Sequence, residues 1–405
     1  MSTSQEATSS QTKERLLSKA FVLASLSHFF HALAFNLYLH LSGFLKTAGA
    51  DEREIGIIFG ATGAAAIIAR PPMGRLIDQR GRVVVIRLGG FLHVIGCALY
   101  LSVSGPGAWV TGVRIMHGIS EAMLFTSLFA FASDIVPASR RFEGIALFGV
   151  SGMLPISLGS LLGDFLLARA GGISVGAYQS LFIASVVLAS VAFLLSLPLK
   201  EPVRKEAEEP ARGMGQAFLQ KNLLPLWFAG VVFATCLAAP FTFFAPFVMA
   251  EHVGTAGMFF SCYSIAAITL RILAGKVPER VGPKRVLLPA MIAVGGGLFL
   301  LSRATLPIHV AVAGTLSGLG HGYTFPILLG LVVSRARPAE RGAALAIFTA
   351  LFDAGSFVGN PLFGTVIDST KSFRTMFVTA AIIMVVGTSL FAMLDWKTAR
   401  TTPAS

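Results

Sequence analysis

The chain has 405 residues, of which 54% are hydrophobic and only 13% charged, with a formal charge of +12. Soluble domains carry about twice that charged fraction, so a water-exposed globular enzyme is excluded, and a disordered chain would need the opposite composition. The class left is a polytopic helical membrane protein.

The chain opens on a Ser/Thr/Gln-rich segment, residues 1–18, that reads as a disordered tail with no cleavage site behind it. Twelve apolar runs follow, each near the length that crosses a bilayer. They cover 20–45, 54–76, 83–103, 108–136, 143–168, 174–198, 223–250, 256–277, 286–303, 307–334, 341–368 and 373–395. The runs are continuous rather than alternating, which argues for helices and against a strand barrel. Between spans six and seven lies a polar stretch, 200–221, carrying Pro202, Pro210, Glu206, Glu208 and Glu209. It reads as a linker between two six-helix halves, 19–199 and 222–396, with a short tail at 397–405.

Placing both termini in the cytosol puts 23 Lys and Arg residues on the cytosolic side and 6 on the other, with Arg70, Arg114 and Arg271 inside spans. That asymmetry obeys the positive-inside rule and predicts an integral protein of the cytoplasmic (inner) membrane. It also accounts for the basic charge without nucleic acid. The three cysteines, Cys97, Cys236 and Cys262, lie in apolar runs and form neither a disulfide framework nor a metal-ligand spacing. His28 and His31 are spaced like metal ligands, yet no neighbouring Cys or acid completes a site, so no metal is expected.

Two stretches repeat at a constant offset. Arg70, Gly74, Asp78 and Gly81 after span two match Arg271, Gly275, Glu279 and Gly282 after span eight. A second echo pairs Arg140, Arg141, Glu143 and Gly144 with Glu340, Arg341 and Gly342. Matching loops in two six-helix halves imply a tandem duplication, the construction that transporters use to place a midplane site between two rocking bodies.

At these residues the chain resembles the major facilitator superfamily. Gly74, Leu76, Asp78, Gly81 and Arg82 fit its first-loop signature Gly-x-Leu-x-Asp-x-x-Gly-Arg, with Gln79 where Arg is common. Arg114 and Gly118 fit Arg-x-x-x-Gly in span four. The Arg-Arg-x-Glu-Gly loop and the glycine-rich fifth span (Gly149, Gly152, Gly159, Gly163) resemble the drug and metabolite efflux branch, although Ser160 stands where that branch has a proline. The resemblance implies twelve helices in two pseudo-symmetric halves and a conformational latch of Gly74, Asp78, Gly81, Arg82 and Asp134. In it Arg82 faces Asp134, and Asp78 meets the helix start of span eleven. The second-half copy, with Glu279 and with Pro283 in the arginine position, is degraded.

Ionisable groups inside spans are costly and mark function. Arg114, His117 and Glu121 recur at spacings that put them on one face of span four; Glu121 is the first-choice proton-exchanging carboxylate, and Arg114 either holds an anionic substrate group or pairs with it. Span one offers His31 and Asn36 (besides His28 and His40) but no carboxylate. Asp353 in span eleven and His321 in the glycine-rich part of span ten are further candidates. Arg70 and Arg271 are expected to snorkel. The run Phe241, Phe243, Phe244 and Phe247 faces either a cavity or lipid. Glycine pairs such as Gly56/Gly60 and Gly355/Gly359 are expected to serve close helix packing.

The expectation is therefore a monomeric secondary transporter that moves a small organic molecule by alternating access. Its leading form is proton-coupled efflux of an amphiphilic drug or a secreted metabolite. It needs no cofactor beyond the proton gradient as energy source. The alternative is a nutrient importer or facilitator for a sugar or organic acid, and a non-transporting receptor ranks lower. No nucleophile elbow, P-loop or zinc-protease motif is present, so an enzyme is not expected.

Overall fold

The computed structural model describes residues 17–137, 140–202, 214–337 and 340–401. The first sixteen residues of the expected tail, linker residues 203–213 and the side chain of Asp78 lie outside the described residues. Everything regular in the described chain is helical. Among the described residues, twelve helices are long and apolar enough to cross a membrane. In order they are Lys19–Thr47, Glu52–Ile77, Arg82–Ser102, Ala108–Ile135, Glu143–Arg169, Tyr178–Ser196, Leu224–Glu251, Ala256–Ala274, Pro283–Ser302, Pro307–Arg335, Arg341–Thr370 and Phe373–Trp396. Two short helices, Met214–Phe218 and Val277–Val281, join them. The last helix continues to Thr401, into the segment expected as a tail.

Local chemistry sets the boundaries. Ser18, Asp51 and Thr255 each accept a backbone N–H from three residues on, which caps spans one, two and eight. Gly81 and Gly282, the repeat mates, hold φ of +89° and +104° where the chain breaks before spans three and nine. Only glycine adopts that backbone without strain, so the duplicated loop is kept by a conformational need at the same point in each half.

Spans two and eleven pack against each other, as do spans five and eight, and these pairs join the halves. Small residues make the approach possible. A Cβ on Gly56, Gly60 or Gly63 would meet the backbone of span eleven at Asn360, Phe357 and Asp353. Gly355 and Gly359 do the same against span seven, at Val231 and Thr235. Spans one and seven touch near Gly43, where Ala245 and Met249 close over the helix.

The contacts between halves are unevenly distributed. Call the face where spans one, three, five, seven, nine and eleven begin the basic face. From the opposite face to about the middle, spans two and eleven are in backbone contact. Toward the basic face a Cβ on Gly74 or Gly342 would meet nothing within 4 Å. The tight contacts of this pair thus lie on the side away from the basic face, the closed face.

Three of the four phenylalanines in the span-seven run face neither lipid nor open space, and Phe241 is half-buried. Phe243, Phe244 and Phe247 are buried, with Phe244 stacked on Phe259 of span eight at 4.5 Å and Phe247 edge-on to Phe377 of span twelve at 5.0 Å. The run builds the core of the second half.

Candidate transport site between the two halves

Span four presents its ionisable residues on one face, but the fold gives them different surroundings. Arg114 and His117 are buried inside the first half. The Arg114 guanidinium lies over the Phe59 ring, 4.4 Å from its centroid, and His117 packs among Phe35, Tyr38 and Tyr100. Glu121, one turn further on, keeps 27% of its side chain exposed and places Oε2 2.6 Å from Nε2 of the buried His31 on span one. The partner of Glu121 is therefore a histidine rather than Arg114.

The remaining span-one candidates are turned into the first half. Asn36 donates to the Ala32 carbonyl at 2.7 Å and packs on Gly159 of span five. His28 pairs with Ser151 at 2.7 Å and stacks on Phe148.

Asp353 sits where the halves meet. Its Oδ2 accepts from Arg70 Nε at 2.5 Å, across the span two–span eleven contact. Arg70 also donates to Thr126 of span four at 3.0 Å. Arg70 therefore does not snorkel; its head group turns inward and ties three spans together. Two polar groups result: His31–Glu121 within the first half, and Thr126–Arg70–Asp353, which runs from the first half into the second. Partly exposed aromatic rings flank them: Phe125 and Phe129 on span four, 4.8 Å apart, and Phe325 and Phe352 on spans ten and eleven, 5.3 Å apart.

His321 belongs to the second half's own packing. Its Nδ1 pairs with the hydroxyl of buried Tyr263, and its ring sits edge-on to Phe233. Arg271 donates to the Gly322 carbonyl at 3.1 Å.

One inter-half contact was not anticipated. At the closed face, Asp164 near the end of span five accepts the N–H of Gly257, in the first turn of span eight, at 2.7 Å. Its other oxygen pairs with His40 Nε2 at 2.9 Å. A carboxylate on a helix N-terminus meets both free N–H groups and the positive end of the dipole. An acid at the outer end of span five, opposite a span that begins Thr-Ala-Gly, was the available signal.

At the basic face, Arg82 Nε lies 2.7 Å from Asp134. Glu201 accepts the backbone N–H groups of Arg82 and Val83, each at 2.8 Å, and caps span three. Gly74 and Gly81 occupy the helix end and the break. In the second half, Ser334 stands at the helix-end position that Asp134 holds in the first, so span ten brings no acid. Asp395 of span twelve supplies the acid, 2.5 Å from both Arg335 and Lys284. Glu279 is exposed on its short helix.

Twelve membrane-crossing helices in two repeated halves, with a polar group at their contact, define a secondary-transporter architecture. The family model described as Major Facilitator Superfamily matches residues 21–254 and again 226–405, and the chain belongs to that family. It is 24% identical over 368 residues to the staphylopine export protein of Staphylococcus aureus, covering 88% of this chain and 91% of that one. It is 26% identical over 368 residues to the multidrug resistance protein MdtG of Citrobacter koseri, covering 85% and 84%. In structure it is similar to a mutant of the nucleoside transporter NupG, with a TM-score of 0.77 at 16% identity, covering 93% of this chain and 99% of that one.

Proposed function

We propose that this transporter exports a small amphiphilic molecule in exchange for protons, working by alternating access with the basic face in the cytosol. The observation that carries the reading is the group Thr126–Arg70–Asp353, laid across the contact that must open and close, with the ionisable pair His31–Glu121 on the same span four. Ionisable groups held in a membrane interior, partnered across a moving contact, suit a coupling role. Protonating Glu121 or Asp353 removes a negative charge and weakens its pairing, which biases one packing of the halves over the other. The flanking Phe125, Phe129, Phe325 and Phe352 suit the apolar part of a substrate, and the carboxylates suit its polar or cationic part. Export as the direction is supported by likeness to an exporter and a multidrug resistance protein across more than four-fifths of each chain.

On this reading, close packing of spans two and eleven on the side away from the basic face makes the described conformation inward-facing. The chain acts as a monomer, and the transport cycle needs no cofactor beyond the proton gradient. Purified protein in oriented proteoliposomes, tested with a panel of amphiphilic fluorescent cations, checks the reading. Flux that collapses with the proton gradient supports it, and flux that ignores the gradient overturns the coupling.

A nutrient importer of the same fold is the second reading. It is favoured by the absence of a span-one carboxylate and by Ser160 in place of proline. Deleting the gene distinguishes the two: compound sensitivity follows from loss of an exporter, and failure to grow on one carbon source from loss of an importer.

A further inference from the structure

The first half buries a group of side chains that the transport reading does not use. His93 and Cys97 lie one helical turn apart on span three, and His117 faces them from span four. One ring nitrogen of each histidine and the Cys97 Sγ all lie within 4.8 Å of one another, and His93 Nε2 is 3.8 Å from the sulfur. All three side chains are at most 1% exposed. The sequence spreads them over two spans, so no motif announces them.

Hydrogen bonding accounts for part of the group only: His93 Nε2 meets Cys97 Sγ, and His117 Nδ1 meets the Tyr100 hydroxyl. His93 Nδ1 and His117 Nε2 are buried with no hydrogen-bond partner, and each such atom costs stability. Apolar residues of similar size would fill this space without that cost. Two imidazoles and a thiol converging on one point are also the donor set that favours soft transition metals over magnesium or calcium.

We propose that His93, Cys97 and His117 bind a thiophilic metal ion, and that copper(I) is the ion best matched to the site. Charge makes the selection. A single thiolate neutralises Cu⁺, leaving no net charge in an apolar interior that already holds Arg114. Zn²⁺ would leave an uncompensated positive charge beside that arginine. The donors are set wider than in a closed site, so binding has to draw them together. Neighbours are placed to orient the ligands: the Tyr100 hydroxyl is 3.3 Å from His117 Nδ1, which leaves Nε2 for the metal. The bound ion would pin span three to span four behind His31, independently of what the protein transports.

Purified full-length protein in detergent, metal-stripped and anaerobic, is titrated with Cu⁺ against a chromogenic copper(I) chelator. Expected are one tightly held Cu⁺ per chain, an X-ray absorption spectrum fitted by one sulfur and two nitrogen scatterers, and no displacement by excess Zn²⁺. Cys97→Ser and His93→Gln should each weaken binding at least 100-fold, while the double variant Cys236→Ser/Cys262→Ser binds as the parent does. Absence of stoichiometric binding by the parent overturns the site, as does a sulfur-free spectrum or binding that persists in Cys97→Ser. Displacement by Zn²⁺ overturns the choice of copper. The spectrum of the parent protein decides the matter even if a variant fails to fold.

Discussion

Arg70 and Asp353 lie 283 positions apart in the chain and 2.5 Å apart in the fold. Their side chains are 12% and 18% exposed, so the pair is largely desolvated, and it bridges the very contact along which the halves must move. Removing one partner of such a pair strands the other charge, at a cost of about 3–5 kcal/mol. Asp353→Asn and Arg70→Gln are each expected to lower the thermal unfolding temperature clearly. The double variant should recover part of the loss, because neither charge is then left alone. Thermal unfolding of the three variants in detergent gives the coupling. Losses that simply add would show that the pair is incidental.

Glu121 is expected to separate coupling from translocation. Glu121→Gln keeps the side-chain size and its contact with His31 but cannot ionise. Proton-driven flux should fall at least tenfold, while exchange of labelled for unlabelled substrate across a membrane without a gradient continues. Both measured in the same proteoliposomes check this, and an unchanged response to the gradient would move the coupling role to Asp353.

The twelve spans were readable because membrane crossing imposes length and apolarity on contiguous residues, and the repeated loops were readable because Gly81 and Gly282 answer the same backbone demand. Glu121 and Asp353 stood out as charges in apolar helices. Their pairings did not. His31 and Arg70 come from other spans, and pairing across spans depends on helix rotation and tilt, which periodicity leaves open. Arg114 shows the same limit: its spacing to Glu121 allows a pair, but packing over Phe59 prevails. His93 went unnoticed because its neighbour Cys97 reads as an ordinary apolar-run cysteine until span four is placed beside it.

Asp164 holds the closed face together through Gly257 and His40. A hydrogen bond to a charged group contributes about 1.5–3 kcal/mol, enough to shift a two-state balance at least tenfold. Asp164→Asn retains an acceptor without the charge. It is expected to raise opening at this face, seen as faster labelling of a single cysteine introduced at Leu161 by a membrane-impermeant maleimide. The variant should still fold, since its neighbours are otherwise unchanged. An unaltered labelling rate would mean that the glycine-mediated backbone contacts alone hold the face shut.

The two halves solve the same electrostatic problem at the basic face with different spans. In the first half Arg82 meets Asp134, which is 36% exposed and has one cationic partner among the described residues. In the second half Asp395 is 6% exposed and sits between Lys284 and Arg335. Solvent screens the first pair, so Asp134→Asn should cost about 1 kcal/mol or less. Asp395→Asn leaves two cations facing each other with one of them largely buried, and should cost about 3 kcal/mol. The asymmetry suits a division of labour: a weak first-half pair can break and reform as the halves rock, whereas the second-half cluster ties span twelve to spans nine and ten permanently. Thermal unfolding of both variants beside their transport rates tests this. Asp395→Asn should lose stability with the rate per folded molecule preserved, and Asp134→Asn should change the rate with stability preserved.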